Sequence, residues 1–316
     1  MSRVLLTDHI AADAVRVLES FEGIEAVATG TPSPEELLRM IPDFDAIVVR
    51  SPTRVTAEVI ESGKKLRFIG RAGVGVDNID VDAATRRGIV VMNSPRSNTV
   101  STAEHTLALM LALAREIPRA HATVTSGRWE RDSFQGVELY GKTLGVIGLG
   151  RVGGAVAARA AAFQMNVLGH DPVVGEEAAR ALGARWVRLA ELLAQSDWVT
   201  VHVPLSASTR GMIGAREMAA MKRGVVVVNC ARGGIVDETA LADALDSGHV
   251  FAAAMDVFEQ EPPGTSRLLE HPRSVFTPHL GAVTVDAQRR VATDVAESIG
   301  LAITRGEIRD AVNAPR

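Results

Sequence analysis

Three residues with complementary chemistry each come shortly after a predicted strand. They are Arg232, Glu261 and His279. The carboxyl ends of parallel strands meet at one edge of a sheet, so we expect these side chains to lie close together. A histidine can act as a general base near neutral pH, and a neighbouring carboxylate can orient it and stabilise its protonated form. An arginine can bind a carboxylate through two hydrogen bonds. Together they could take a proton from a hydroxyl group next to a carboxylate.

A glycine-rich motif indicates what could accept the hydride in such a reaction. The motif GLGRVG spans residues 148–153, directly after an apolar strand and at the start of a helical stretch. Its glycines permit a tight turn and a close approach to a pyrophosphate, and the amides of the helix N-terminus favour an anion. Asp171 ends the next predicted strand, about 20 residues further on, where a carboxylate can bind a ribose 2′-hydroxyl and repel a 2′-phosphate. We therefore predict NAD rather than NADP. The alternative is a domain of the same fold without a cofactor.

A second glycine pattern is rejected because of its context. Residues 136–143, GVELYGKT, match the phosphate-binding pattern GxxxxGK[ST]. That pattern binds nucleoside triphosphates only when it opens a helix, whereas here Lys142 and Thr143 lead into a predicted strand. We therefore predict no triphosphate site at this position.

Strand and helix patterns alternate along the chain, which is typical of an α/β fold with parallel sheets. We predict two Rossmann-like domains. The strands predicted in the first are Val4–Thr7, Ile24–Ala28, Ala46–Val49, Phe68–Arg71 and Ile89–Met92. Those predicted in the second are Leu144–Ile147, Asn166–His170, Trp198–Val201, Val225–Asn229, Phe251–Met255 and Val275–Thr277.

The order of helices predicts that one domain is inserted into the other. The apolar stretch Thr102–Ala114 indicates a long buried helix, which we expect to bridge the two domains. A last helix, Val285–Thr304, follows the complete second sheet, while the first domain lacks a covering helix at its end. We therefore assign residues 1–97 and 284–316 to a substrate-binding domain and residues 98–283 to an NAD-binding domain.

Residues 118–140 carry Trp129, Phe134 and Tyr140, although aromatic residues make up only 4% of the chain. Aromatic residues and arginine are enriched at protein interfaces. The segment is either a packed loop or a subunit contact, and the sequence leaves both interpretations open.

Composition excludes several classes of protein. The chain has 316 residues, 47% of them apolar, and a formal net charge of −4, which disfavours disorder and does not favour binding to nucleic acid or an anionic membrane. The single cysteine, Cys230, excludes an internal disulfide and a multi-cysteine zinc site, and we expect no metal. The first residues lack a signal-peptide pattern, so we expect a cytoplasmic protein.

Several motifs carry a resemblance that extends over nearly the whole chain. They include VRS at 49–51, GRAGVGVDNID at 70–80, WER at 129–131, GKTLG at 141–145, and the segments around Arg232, Glu261 and His279. The sequence resembles the D-isomer-specific 2-hydroxyacid dehydrogenases. Within them it is most similar to the branch that oxidises D-3-phosphoglycerate to 3-phosphohydroxypyruvate in serine biosynthesis.

The resemblance implies roles for particular residues. Arg232, Glu261 and His279 would be catalytic. The residues implied to bind NAD are Gly148, Gly150, Arg151, Val152, Gly153, Asp171, Cys230, Ala231, Arg232, Asp256, His279, Gly281 and Ala282. Those implied to bind a phosphorylated 2-hydroxy acid are Arg50, Ser51, Arg71, Gly73, Val74, Arg131, Arg232 and His279. Arg131 would reach the site from a second subunit of a homodimer, with a homotetramer as the alternative.

Some features leave the substrate less determined than the reaction. Pro52 and His170 stand where the family usually has a small residue and an aromatic residue. The alternatives are a glyoxylate or hydroxypyruvate reductase, another D-2-hydroxyacid dehydrogenase and, more remotely, an NADH-sensing binding protein similar to a corepressor. The chain ends soon after its last helix, so we expect neither the C-terminal regulatory domains of longer relatives nor inhibition by serine.

Overall fold

A computed structural model describes residues 1–10 and 12–315, which divide into two units. Unit 1 contains Met1–Asn98 and Ala282–Arg316, and unit 2 contains Thr99–Gly281. The sequence-predicted boundaries at 97/98 and 283/284 lie within two residues of these divisions.

The strands and helices alternate along the chain, as predicted for an α/β fold. The strands are β1 (Ser2–Leu6), β2 (Ile24–Ala28), β3 (Ala46–Val49), β4 (Phe68–Arg71), β5 (Val90–Asn93), β6 (Thr143–Ile147), β7 (Asn166–His170), β8 (Arg185–Trp186), β9 (Trp198–Val201), β10 (Val225–Asn229), β11 (Val250–Met255) and β12 (Ser274–Phe276). The helices are α1 (Ala12–Glu19), α2 (Pro34–Met40), α3 (Ala57–Ser62), α4 (Val81–Arg86), α5 (Thr99–Ala114), α6 (Ile117–Thr125), α7 (Arg151–Ala162), α8 (Glu176–Ala181), α9 (Leu189–Gln195), α10 (Ala215–Ala219), α11 (Glu238–Asp246), α12 (Arg267–Glu270) and α13 (Val285–Arg305).

Unit 1 is built on a parallel five-stranded sheet in the order β2-β1-β3-β4-β5. All four residues of β3 are buried, as expected for a central parallel strand covered on both faces. Local signals start its helices, because Ser33 forms a capping box with Glu36 at α2 and Asp80 caps α4. The last helix, α13, packs on α1 and β4. It supplies the covering helix that this sheet lacked in the sequence analysis.

Unit 2 contains a parallel seven-stranded sheet in the order β12-β11-β10-β9-β6-β7-β8. Six of these strands follow the Rossmann order, with β12 added at one edge. The strand order reverses next to β6, and ligands of such sheets bind where this reversal occurs, beyond the carboxyl ends of the strands. The predicted fold class is confirmed by this architecture.

Three details differ from the sequence predictions. Helix α5, which we expected to bridge the domains, lies entirely in unit 2. Helix α6 overlaps the start of the 118–140 segment, which was interpreted as a packed loop or a subunit contact, and Pro118 lies in its first turn, a position that proline favours. The short strand β8 and helix α9 were also missed, because two residues of strand carry no detectable alternation. In the described part of the chain, no helix is both long and apolar enough to span a membrane.

Candidate active site

Two of the three predicted catalytic side chains form a direct hydrogen bond in unit 2. Nδ1 of His279 lies 2.8 Å from Oε2 of Glu261. Because an ionised carboxylate only accepts hydrogen bonds, Nδ1 carries the proton, and in the neutral imidazole Nε2 has the lone pair. The backbone N–H of His279 donates to the carbonyl oxygens of Asp256 at 2.8 Å and Thr277 at 3.0 Å. The histidine is therefore held through both its ring and its backbone.

The environment of Glu261 keeps this carboxyl group ionised. Burial by itself would raise its pKa, but the hydrogen bond and charge of His279, the backbone N–H of Phe258 and the charge of Arg232 together lower it. The N–H of Phe258 donates to Oε1 at 3.1 Å. At neutral pH the group next to the imidazole is thus a carboxylate, as a residue that orients a base requires.

Arg232 lies half-buried in the turn that follows β10. Its Nη1 donates to the carbonyl of Ala231 at 2.7 Å. The turn is fixed by Asn229, whose side chain is fully buried. Nδ2 of Asn229 donates to the carbonyl of Arg232 at 2.9 Å, and its Oδ1 accepts from the N–H of Ala231 at 3.0 Å. The sequence analysis missed Asn229, although a polar residue at the end of an all-valine strand is a signal that could have revealed it.

Asp256 was predicted to bind NAD, and the structure places its carboxylate beneath the segment that carries His279. The residue is only 1% exposed. It accepts from the hydroxyl of Thr277 at 2.6 Å and from the backbone N–H groups of Leu280 at 2.7 Å and Gly281 at 2.8 Å. Burial would raise its pKa, but these donors and His105 lower it. Asp256 therefore fixes the conformation of residues 277–281 through these hydrogen bonds.

His105 lies on α5, in the stretch that the sequence analysis interpreted as a long buried helix, and it was not singled out as a site residue. Its Nε2 lies 3.2 Å from Oδ1 of Asp256 and 3.1 Å from the hydroxyl of Thr277. The sequence gives no short-range sign of this contact, because His105 and Asp256 are 151 positions apart.

The glycine motif forms the turn between β6 and α7, where its geometry suits a pyrophosphate. A Cβ on Gly153 would lie 1.8 Å from the carbonyl oxygen of Gly148, so this position tolerates only glycine. A Cβ on Gly150 would meet nothing within 4 Å, which leaves open space above the turn. Gly150 is the N-cap of α7, and no side chain of the described residues caps the helix. Its first amides therefore remain available to an anion.

Asp171 lies at the end of β7, beside the glycine turn. Its carboxylate accepts from the backbone N–H groups of Leu149 at 2.8 Å, Val173 at 2.8 Å and Val174 at 3.0 Å. Burial would raise its pKa, but these three donors outweigh it and lower the value. A carboxylate can accept about four hydrogen bonds, so one position remains for a ribose hydroxyl. The residues present therefore fit an adenine dinucleotide without a 2′-phosphate.

In unit 1 the structure brings together Ser51, Arg71 and Gly73. Nη2 of Arg71 donates to the hydroxyl of Ser51 at 2.7 Å, and Nη1 donates to the carbonyl of Ala72 at 2.6 Å. Gly73 has a φ of 148°, a conformation that favours glycine, and a Cβ there would displace the guanidinium of Arg71, because it would lie 1.7 Å from Nη1. Val74 follows, and its carbonyl accepts from Nδ2 of Asn93 at 2.6 Å.

Arg50 is half-buried, and no ion pair or hydrogen bond of its guanidinium is found among the described residues. A partly buried cation without a counter-charge favours the binding of an anion.

Comparison with known proteins identifies the family. Residues 107–281 match the model of the D-isomer specific 2-hydroxyacid dehydrogenase, NAD binding domain. The chain belongs to the D-isomer-specific 2-hydroxyacid dehydrogenases. The family predicted from the sequence is thus confirmed, and so are the oxidoreductase class and the NAD-binding domain.

Individual relatives agree with this assignment. The chain is 51% identical to a D-3-phosphoglycerate dehydrogenase of Methanocaldococcus jannaschii, and the match covers 100% of this chain and 60% of that protein. The chain spans between 56% and 60% of the length of the curated relatives it matches. It resembles the crystal structure of a Thermus thermophilus protein, TT0316, with a TM-score of 0.89, 36% identity and coverage of 98% of this chain and 100% of that one. It also resembles a glyoxylate reductase from Paecilomyes thermophila, with a TM-score of 0.88, 34% identity and coverage of 98% of each chain.

The remaining predicted site residues of this dehydrogenase have varied environments. Cys230 is 5% exposed, and burial raises its pKa to about 12, so it is a neutral thiol and no nucleophile. Ala231 is half-buried in the same turn, whereas Ala282 belongs to unit 1. Arg131 lies in an exposed 3-10 turn, and no contact of its side chain with the catalytic trio is found in the described part of unit 2.

Proposed function

We propose that this dehydrogenase oxidises D-3-phosphoglycerate to 3-phosphohydroxypyruvate with NAD, a reaction of serine biosynthesis. The observation that carries the proposal is the 2.8 Å hydrogen bond between Glu261 and His279 in the NAD-binding unit, because it leaves Nε2 of the histidine as a base. We also propose that the protein acts in the cytoplasm, where a lone cysteine stays reduced.

The chemistry divides among three side chains. Bound NAD would supply the acceptor for the hydride that leaves C2 of the substrate. His279 takes the proton of the C2 hydroxyl at Nε2, and Glu261 stabilises the imidazolium that results. Arg232 holds the substrate carboxylate through two hydrogen bonds, which orients C2 and polarises the developing carbonyl.

The proposed phosphate ligands lie in unit 1. Arg50 has no counter-charge among the described residues, and Arg71 and Ser51 are already hydrogen-bonded to each other. A phosphate with two charges needs more than the one arginine that binds the carboxylate. Gly73 and Val74 would contribute backbone groups to the same substrate, as the family resemblance implies. The relatives named D-3-phosphoglycerate dehydrogenase support this assignment of the substrate.

A second candidate is the reduction of glyoxylate or hydroxypyruvate, which the structural similarity to a glyoxylate reductase favours. That activity would not need the arginines of unit 1. The remote alternative, an NADH-sensing protein without turnover, does not account for the hydrogen bond between Glu261 and His279.

Steady-state kinetics with three acids test the proposal. With NAD in excess, we expect kcat/KM for D-3-phosphoglycerate to exceed that for D-glycerate and for D-lactate by at least about 100-fold. The unphosphorylated acids have no phosphate group for Arg50 and Arg71 to bind. Equal values for the phosphorylated and unphosphorylated acids would contradict it and favour the second candidate.

We further propose that the protein is a homodimer whose contact includes residues 117–140. Several large apolar side chains of this segment are exposed: Ile117, Val124, Trp129, Val137 and Tyr140. Trp129 alone is 82% exposed, which is unusual for an unpartnered side chain of this size. A cavity of about 580 Å³ is lined by Val137 of this segment, together with Pro118, Trp198 and Phe251, among others. A twofold axis would bring the same apolar surface of a second copy onto it, and a tetramer of such dimers is the alternative.

A further inference from the structure

The segment Arg50–Thr53, here called the Arg50 loop, follows β3 in unit 1 and carries two of the proposed phosphate ligands. It contains Pro52, which has no N–H group. A loop that binds an anion through its backbone and through a flexible arginine must hold one conformation, because a displacement of 1 Å weakens such contacts. The hydrogen bonds of this loop show what holds it.

Asp8, which lies just beyond β1, binds the loop from one side. The residue is 3% exposed, and β1 is the neighbour of β3 in the sheet. Its Oδ2 accepts from the backbone N–H of Arg50 at 2.8 Å and from that of Thr53 at 3.3 Å. Its Oδ1 accepts from the hydroxyl of Thr53 at 2.6 Å. One buried carboxylate thus fixes both ends of the loop.

Asn78 binds the same two residues through their carbonyl groups. Its Nδ2 donates to the carbonyl oxygens of Arg50 and Thr53, each at 2.7 Å. The N–H and C=O groups at both ends of the loop are therefore engaged. Between them, Pro52 has no N–H, and the N–H of Ser51 has no acceptor among the described residues. The loop thus offers a single backbone donor, next to the Ser51 hydroxyl.

The backbone conformation at Asp8 is strained, so this arrangement costs conformational free energy. Asp8 and His9 have φ values of 63° and 50°, in the left-handed region that residues other than glycine rarely adopt. Such conformations persist only where contacts with the surrounding structure stabilise them. Here the three hydrogen bonds of the Asp8 carboxylate supply those contacts.

We propose that Asp8 is a positioning residue for phosphate recognition and that Asn78 assists it. It acts through the Arg50 loop and touches no reacting atom. Its carboxylate fixes the backbone that carries the Arg50 guanidinium and the hydroxyl and N–H of Ser51. This inference rests on the proposed function, because it assumes that the loop receives the substrate phosphate.

The test compares Asp8→Asn with a control in the same unit. Asp45 is the matched control, because its Oδ2 also accepts a hydrogen bond from a backbone N–H, that of Arg3, at 2.9 Å. It lies just before β3, at the opposite end of that strand from the Arg50 loop. For Asp8→Asn we expect KM for D-3-phosphoglycerate to rise about tenfold, because one charge-assisted acceptor becomes a donor facing N–H groups. We expect kcat, and KM for D-glycerate, to stay within about twofold. Asp45→Asn should change neither kcat nor KM for D-3-phosphoglycerate, even if it lowers the melting temperature as much as Asp8→Asn does.

Two substitutions of Thr53 provide a second test of the role of Asp8. Thr53→Val removes the hydroxyl that donates to Asp8 and should repeat the rise in KM, while Thr53→Ser keeps it and should restore the wild-type KM. Equal losses for both acids in Asp8→Asn, or an unchanged KM for the phosphorylated acid, would overturn the inference.

The wild-type preference separates this inference from the proposed function. A wild-type enzyme that does not distinguish D-3-phosphoglycerate from D-glycerate overturns the proposed function and the inference with it. A strong wild-type preference that survives intact in Asp8→Asn overturns the inference alone.

Discussion

At the scale of single residues, the proposed function depends on the imidazole of His279 and the carboxylate beside it. Glu261 has a pKa below its usual value, so it stays ionised throughout the pH range in which an imidazole titrates. The bond at 2.8 Å fixes which ring nitrogen carries the proton. A neutral amide at position 261 would keep the shape and remove the counter-charge, which makes the contribution of the charge measurable.

For Glu261→Gln we expect kcat to fall about 10- to 100-fold, since the imidazolium formed in the reaction loses its stabilising charge. The acidic limb of the profile of kcat/KM against pH should move to lower pH by about one unit, because removing a negative charge makes the base easier to deprotonate. The measurement is a set of initial rates between pH 5 and pH 10. A limb that moves to higher pH, or does not move, would show that Glu261 does not act on His279 through its charge.

Some residues of the candidate site could be proposed from the sequence, and others could not. Arg232, Glu261 and His279 could be proposed from the sequence because each follows a strand, and the strand ends of a parallel sheet lie at one edge. Asp8, Asn78 and Asn229 could not be assigned, because their contacts depend on loop conformations that no local pattern encodes. Asp8, for example, is 42 positions from Arg50.

At the scale of elements, the turn between β6 and α7 gives two glycines opposite roles. A side chain on Gly153 would collide with the backbone of Gly148, whereas one on Gly150 would enter open space at the helix N-terminus. Gly153 is required by the fold, whereas Gly150 is proposed to leave room for the dinucleotide.

We therefore expect Gly153→Ala to lower the free energy of unfolding by about 3 kcal/mol or more, since the Cβ overlaps a backbone atom. Gly150→Ala should cost less than about 1 kcal/mol, the usual loss at an N-cap, yet should weaken NADH binding at least about tenfold because its methyl group occupies the proposed pyrophosphate position. Thermal denaturation and fluorescence titration with NADH measure the two effects separately. Full NADH affinity in Gly150→Ala would place the dinucleotide elsewhere.

Strand boundaries could be predicted where a short apolar run has clear ends, whereas elements that depend on tertiary packing were missed. Strands β2, β3, β4, β7, β9 and β10 have the predicted bounds. Helix α6 was missed because its nine residues include Pro118 and four β-branched residues that lower helix propensity, so packing against α5 rather than local preference forms it. Strand β8 is too short for any periodicity.

At the scale of the whole molecule, the division into two units follows from the order of elements. A last helix that comes after a complete sheet has to cover something else, and α13 packs on α1 and β4 of unit 1. The proposed homodimer adds a residue that one chain would not provide for itself, because Arg131 is exposed and would serve the site of the partner.

A mixed dimer tests this sharing directly. Arg131→Ala and His279→Ala chains with different tags would be co-expressed, and the heterodimer purified through both tags. If Arg131 acts on the partner's site, the heterodimer has one complete site, formed by the His279 of one chain and the Arg131 of the other, so we expect about half the wild-type kcat with a wild-type KM. The Arg131→Ala homodimer should have a raised KM, and a wild-type KM there would show that Arg131 does not act on substrate. An equally raised KM in the heterodimer would show that Arg131 acts within its own chain. A monomer in light scattering would contradict the dimer itself.

The central claim, that His279 is the base of an NAD-dependent oxidation, is tested most directly by the turnover of His279→Ala together with its affinity for NADH. We expect kcat to fall by about two to four orders of magnitude, because the general base is removed, while the dissociation constant of NADH stays within about threefold of wild type. Turnover near the wild-type value with D-3-phosphoglycerate and NAD would contradict the account.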